Sequence, residues 1–147
     1  MKLFKFNSLT VKSMLFVFAT LMLFSFFSCT RKVNFTTSSV VPAARGYVKV
    51  KKDKNENYNI NVVLSNLAEV KRLDPSKQTY MVWMDTSDET AKSLGQIKSS
   101  TRGLAQKLKA SFTAVSASKP HKVYISAESD ENTEVPSTQI VLTTDKF

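Results

Sequence analysis

The chain predicts an all-β fold, a single antiparallel sandwich, and three observations carry that prediction. First, Thr79-Tyr80-Met81-Val82-Trp83-Met84-Asp85 places the only tryptophan within a run of residues that favour an extended backbone. Second, short stretches elsewhere alternate apolar and polar residues with period two. Third, clusters of Asp, Asn, Ser and Thr separate those stretches, and no long helical pattern intervenes. In a pleated strand alternate side chains point to opposite faces, so Tyr80, Val82 and Met84 share one face while Met81 and Trp83 share the other. Both faces are bulky and apolar. That pattern belongs to a central strand covered on both sides, the middle of a sandwich.

The 147 residues allow one domain, and residues 1–28 are predicted to stand outside it. Lys2, Lys5 and Lys12 precede an apolar run from Met14 to Phe27, which ends at Ser28-Cys29. As a helix that run reaches only about 21 Å, short of the roughly 30 Å hydrocarbon core of a bilayer. A basic start, a short apolar centre and a small residue at the end make a secretion signal. Ser28-Cys29 resembles the lipobox of bacterial lipoproteins, in which the cysteine accepts a thioether-linked lipid and acyl chains such as palmitate and becomes the mature N-terminus. Phe26 and Phe27 stand where that pattern usually has Leu and Ala or Ser. The alternative is an ordinary cleaved signal with an incidental cysteine. Against it, the chain has one cysteine, so no disulfide can form within it, and a free thiol in an oxidising compartment is a liability.

Cleavage before Cys29 removes Lys2, Lys5 and Lys12 and takes the formal charge from +9 to +6. The remaining basic residues alternate with apolar ones along strands. Attraction to anionic head groups or acidic glycans is physically available, and a solvated surface is the plainer reading. Residues 29–43, from Cys29 through the Ser- and Thr-rich Thr36-Thr37-Ser38-Ser39 to Pro42, read as a polar tether, and residues 44–147 as the sandwich domain.

Within the domain, Val48 and Val50 face one way while Tyr47, Lys49 and Lys51 face the other, a half-buried strand. Asp53-Lys54-Asn55-Glu56-Asn57 is a turn, because Asp and Asn bond their own backbone. Tyr58, Ile60, Val62 and Leu64 then alternate with Asn59, Asn61 and Val63, completing a hairpin. Residues 66–76, with Asp74-Pro75, read as a crossing loop with room for a helical turn. The central strand follows from Gln78 to Asp85, and Thr86-Ser87-Asp88-Glu89-Thr90 is the next turn. A weaker strand covers Lys92 to Ser99, with Leu94 and Gln96 on one face and Gly95 and Ile97 on the other. Leu104 and Leu108 fit a helical spacing as well as a strand, and Ala110-Ser111-Phe112-Thr113 favours the strand. Val123, Ile125 and Ala127 form the core face of another strand, and Gln139 to Thr144 is the last. Seven such strands predict an immunoglobulin-like sandwich held by hydrophobic packing without the inter-sheet disulfide of antibody domains.

The stretch from about Leu73 to Leu142 resembles the extracytoplasmic C-terminal domain of anti-sigma-K factors. The matching features are a proline shortly before Thr79-Tyr80-Met81-Val82-Trp83, the step Leu94-Gly95, the strand Ile125-Ser126-Ala127-Glu128, and an acidic loop with Pro136-Ser137-Thr138 leading into the terminal strand. The chain is also similar to small lipoproteins of Bacteroidota-type bacteria. The resemblance implies a β-sandwich in the envelope that binds or senses another molecule. Anti-sigma factors of that family hold the sigma factor with a cytoplasmic N-terminal segment and cross the membrane on a helix. This chain shows neither, so direct sigma-factor binding is not expected.

No catalytic constellation emerges. The one histidine, His121, sits beside Pro120 in a loop, and no Gly-x-Ser-x-Gly turn presents a serine to it. Asp53 to Asn57 begins as a calcium loop does, but Tyr58 stands where glycine is needed and Leu64 where the bidentate glutamate belongs. Asp130-Glu131-Asn132-Thr133-Glu134 also lacks the glycine, so no metal or other cofactor is expected. Tyr47, Tyr80 and Trp83 are candidate aromatics for a sugar or peptide, with Tyr80 and Trp83 as the named ligand residues. Aromatics on strands are more often core, and Trp83 lies where immunoglobulin-like folds bury one. Lys49, Lys51 and Lys52 read as a charged guard on an edge strand. The chain therefore predicts a lipid-anchored, non-enzymatic envelope protein, periplasmic or outer-membrane, with an envelope protein as partner and no nucleic acid. The alternative is a module for carbohydrate or cell-wall polymer.

Overall fold

The computed structural model describes residues 11–14, 16–17, 30–97 and 109–147. Its body is two packed four-stranded antiparallel sheets, an all-β sandwich as the alternating segments predict. The strands are β1 (Thr30–Asn34), β2 (Arg45–Lys52), β3 (Tyr58–Ser65), β4 (Thr79–Asp85), β5 (Lys92–Ile97), β6 (Lys109–Ser116), β7 (Lys122–Glu128) and β8 (Ile140–Thr143). One sheet has the order β1-β2-β3-β6 and the other β5-β4-β7-β8. Without β1, seven strands remain. Their second, β3, pairs with their fifth, β6, and their third, β4, pairs with their sixth, β7. That crossing pattern is the immunoglobulin-like arrangement.

The core forms because the inward residues of both sheets are apolar. Val48 and Val50 of β2, Ile60, Val62 and Leu64 of β3, and Ala110 of β6 meet Tyr80, Val82 and Met84 of β4 and Val123, Ile125 and Ala127 of β7. Gly46 is required where β2 crosses β3. A Cβ there would collide with the Val63 carbonyl oxygen and lie 2.6 Å from Leu64 Cδ2. The turns use the predicted chemistry. The Asp53 carboxylate accepts the N–H groups of Asn55 and Asn57 at 2.8 and 2.9 Å, and Thr86 Oγ1 accepts that of Glu89 at 2.9 Å. The crossing loop contains a 3-10 turn at Val70–Arg72.

Four expectations need correction. Residues 30–34 are not a tether but strand β1, paired in register with β2 from Thr30 opposite Lys51 to Asn34 opposite Tyr47. Phe35 bridges to Thr144 and is buried, and Ser38, Val41 and Ala44 are buried beyond it. The strand forms because β2 offers it an open ladder, which its own polar composition does not announce. It follows that β2 is interior to its sheet, so Lys49, Lys51 and Lys52 guard no edge there. Trp83 is fully buried as expected, but on the outward side of its sheet, with Met81, Tyr124 and Ile140 instead of between the sheets. A register shift between Val82 and Trp83 lets Leu94 pack on the core, so Leu94 and Gln96 do not share a face.

The segment read as a signal sequence, residues 1–28, lies outside the described residues except for residues 11–14 and 16–17, which are helical. Among the described residues no helix is long and apolar enough to cross a membrane.

Candidate functional site

Three loops meet at one end of the sandwich and enclose a groove of about 870 Å³. The first wall is Ser39 to Ala43, between β1 and β2; the second is Ala68 with Arg72 to Pro75 and Lys77, between β3 and β4; the third is Ser137 to Gln139, before β8. Its volume falls in the range of small-molecule and peptide sites. The register fixes where it sits. Thr30 pairs with Lys51, whereas the first wall leads directly into Arg45, so the groove lies about 20 Å along β2 from the start of β1.

Each wall is tied to the framework. In the first, Ser38 Oγ accepts the Val41 N–H at 2.8 Å, and Arg45 donates to the Pro42 and Ala44 carbonyls at 2.6 and 2.7 Å. In the second, the Tyr80 hydroxyl donates to the Ala68 carbonyl at 2.9 Å. Lys77 and Gln78 then return the chain to β4, with the Gln78 N–H donating to the Glu128 carbonyl at 2.8 Å. The Asp74-Pro75 peptide bond in this wall is cis.

The third wall hangs from a buried polar chain. Trp83 Nε1–H donates to Ser126 Oγ at 2.7 Å, and Ser126 Oγ donates in turn to the Glu128 carboxylate. The same carboxylate accepts the Ser137 N–H at 2.8 Å, while the Ser137 hydroxyl donates to the Ala127 carbonyl at 2.9 Å. Ser126 and Glu128 are both buried. A buried carboxylate needs its lone pairs filled, and here the loop's own backbone fills one of them.

The groove lining combines apolar Val41, Ala68, Leu73 and Pro75 with charged Arg72, Lys77 and Asp74, and Lys77 Nζ donates to Ser129 Oγ at 3.0 Å. Arg72 Nε stands 3.3 Å from Glu69 Oε2 in an exposed pair, which holds it only weakly and leaves it able to exchange partners. Gln139 Oε1 is buried without a hydrogen-bond partner, and the residue lines the groove. Two cations beside an apolar lining suit an extended peptide with an acidic residue.

The residues singled out from the sequence are distributed as follows. Cys29 lies outside the described residues. Tyr80 and Trp83 are both buried, Tyr80 between the sheets and Trp83 on the outward side, so neither offers a ring for a sugar to stack on. Burial alone pushes the Tyr80 hydroxyl up to about 12. Their contribution to the groove is indirect, since their polar ends hold its second and third walls. Tyr47 is half-buried on the outward face of β2, with Lys32 Nζ 4.2 Å above its ring. His121 is exposed, and its N–H donates to the Asp85 carbonyl at 2.7 Å. Asp53 and Asp130 both spend a carboxylate oxygen on their own loop backbone. No cluster of metal-ligating side chains occurs among the described residues. Gln139 and Arg72 were invisible as site residues, because they meet only when loops far apart in sequence converge, and Ser126, in β7, acts on the groove only through Glu128 and Ser137.

Comparison with family models, with characterised proteins and with solved structures finds no match to this chain.

Proposed function

We propose that the protein is a lipid-anchored envelope lipoprotein whose sandwich binds an extended segment of another envelope protein in the end groove, without catalysing a reaction. The observation that carries this reading is a groove of about 870 Å³ whose three walls are each hydrogen-bonded to the framework and whose lining combines apolar residues with Arg72 and Lys77. A preorganised cleft of that composition suits recognition, since little ordering remains to oppose binding. The Ser28-Cys29 junction after a short apolar run supports the anchor. The likeness of residues 73–142 to the anti-sigma-K extracytoplasmic domain supports a partner within that kind of signalling system, with this protein as accessory. The carbohydrate reading is weaker, because burial of Trp83 and Tyr80 removes its two named residues.

The test is photocrosslinking in living cells from a probe placed at Val40 or Arg72, with a probe at Asn55 in the opposite turn as control. A protein adduct formed from the groove positions, absent at Asn55 and lost in the Cys29→Ser form, supports the proposal. Adducts of glycan alone, or equal protein adducts from Asn55, refute it.

A further inference from the structure

Among the described residues, the outward face of the first sheet has a charge pattern that its partner sheet does not share. Its outward side chains are Thr30, Lys32 and Asn34 of β1; Arg45, Tyr47, Lys49 and Lys51 of β2; Asn59, Asn61, Val63 and Ser65 of β3; and Lys109, Ser111, Thr113 and Val115 of β6. None is acidic. Lys32 lies directly opposite Lys49 in the ladder, a like-charge pairing that opposes folding and that no carboxylate on the face relieves. Tyr47 sits between them, with the Lys49 ammonium 5.5 Å from its ring centre and that of Lys32 closer still. Its ring relieves part of the repulsion and keeps both cations lying over the sheet. The outward side of the other sheet differs, with Met81, Trp83, Tyr124, Ser126 and Glu128 all buried.

We infer that this cationic face lies on acidic phospholipid head groups. The inference rests on the lipid anchor proposed above and adds the orientation of the anchored domain. Since β1 begins at Thr30, no linker separates it from Cys29, and one residue spans at most about 3.6 Å. A bilayer holding Cys29 therefore comes up against the start of β1. Two surfaces meet there, the outward face and the end of the sheet at the 53–57 turn. The end carries Lys54 beside Asp53 and Glu56, with Glu56 paired to Lys52 at 3.0 Å, so its charges cancel. The face carries cations only, so an acidic membrane surface draws the molecule onto its face. The groove, about 20 Å along β2 from Thr30, opens at the side of a molecule lying this way.

The test uses the full-length protein purified in detergent and reconstituted into vesicles of phosphatidylcholine alone or of mixtures rich in phosphatidylglycerol. Lysine acetylation is read by mass spectrometry, with Lys77 and Lys92 as references away from the face. Protection of Lys32, Lys49 and Lys51 in the acidic vesicles only, reversed by high salt, is the expected result. At about 1 kcal/mol per cation, Lys49→Glu reduces protection of Lys32 and Lys51 about fivefold or more. Ser111→Glu, an exposed position in β6 that leaves every lysine in place, also reduces it. Equal reactivity in both kinds of vesicle overturns the inference. Protection by soluble polygalacturonate but not by acidic vesicles also overturns it, in favour of an acidic polymer. The intact mass of the same sample reports separately whether Cys29 carries lipid. An unlipidated protein whose face is still protected by acidic vesicles upholds the docking surface while refuting the anchor.

Discussion

Ser126 shows how one small residue can govern a site it never touches. Its hydroxyl stands between Trp83 Nε1–H and the Glu128 carboxylate, accepting from one and donating to the other. Ser126→Ala would leave a buried indole N–H without an acceptor and strip a buried carboxylate of a donor. Each unsatisfied group costs about 1–3 kcal/mol, and relaxation of the Ser137 loop recovers part of that. We expect a loss of about 2–3 kcal/mol in urea denaturation, followed by far-ultraviolet circular dichroism. Trp83→Phe already lacks the N–H, so adding Ser126→Ala to it should cost measurably less than adding it to the wild type. Equal costs in both backgrounds would show that the Trp83–Ser126 bond contributes nothing. Tyr80→Phe is the matching change on the second wall. It removes a single neutral hydrogen bond to the Ala68 carbonyl, worth about 1 kcal/mol. Neither change touches the groove lining directly. Both should weaken crosslinking from Val40, because they loosen walls that hold the binding conformation.

Among the elements, β1 is the one that separates a tether from a strand. Phe35, just past its end, donates its N–H to the Gly46 carbonyl at 3.0 Å and is buried in the core, while the Thr36 N–H donates to the Thr143 carbonyl at 2.8 Å. The segment thus joins the edge of one sheet to the edge of the other. Phe35→Ala should cost about 3 kcal/mol and should speed hydrogen exchange at residues 30–36 more than elsewhere. A free tether would leave both quantities unchanged. The other seven strands could be read from the chain because most carry inward apolar residues at alternate positions, as at Ile60, Val62 and Leu64. β1 has only Val33 as an inward aliphatic, and its extended form comes from pairing with β2. Periodicity likewise could not assign the two faces of β4. Tyr80 and Trp83 were separable into opposite faces, but which face meets the second sheet depends on what packs there. The groove was least legible, since Ser38, Arg72 and Gln139 carry no mutual spacing and converge only through topology. The turns were the most legible, because Asp53 and Thr86 act on backbone groups within a few residues.

At the scale of the molecule, the two central strands of the second sheet share a response to alkali. Tyr80 of β4 and Tyr124 of β7 both have hydroxyls pushed up to about 12, Tyr80 by burial and Tyr124 by burial first, then by the charge of Asp85 and a hydrogen bond to it. Tyrosine is neutral when protonated, so the folded state opposes ionisation that the unfolded chain permits near pH 10. The stability these two groups contribute is fully present below pH 10 and is lost as pH rises from there through 12. Denaturation midpoints in urea should therefore hold steady approaching pH 10 and fall steeply above it. The tyrosinate absorbance of the two should appear together with loss of the tryptophan environment, because Trp83 lies directly opposite Tyr124 and three residues along the same strand from Tyr80. In a Tyr80→Phe, Tyr124→Phe form the slope of stability against pH over that window should shrink, even though the protein starts less stable. An unchanged slope would mean that both hydroxyls ionise in the folded sandwich, and that the sheet covering Trp83 opens to solvent far more readily than its burial implies.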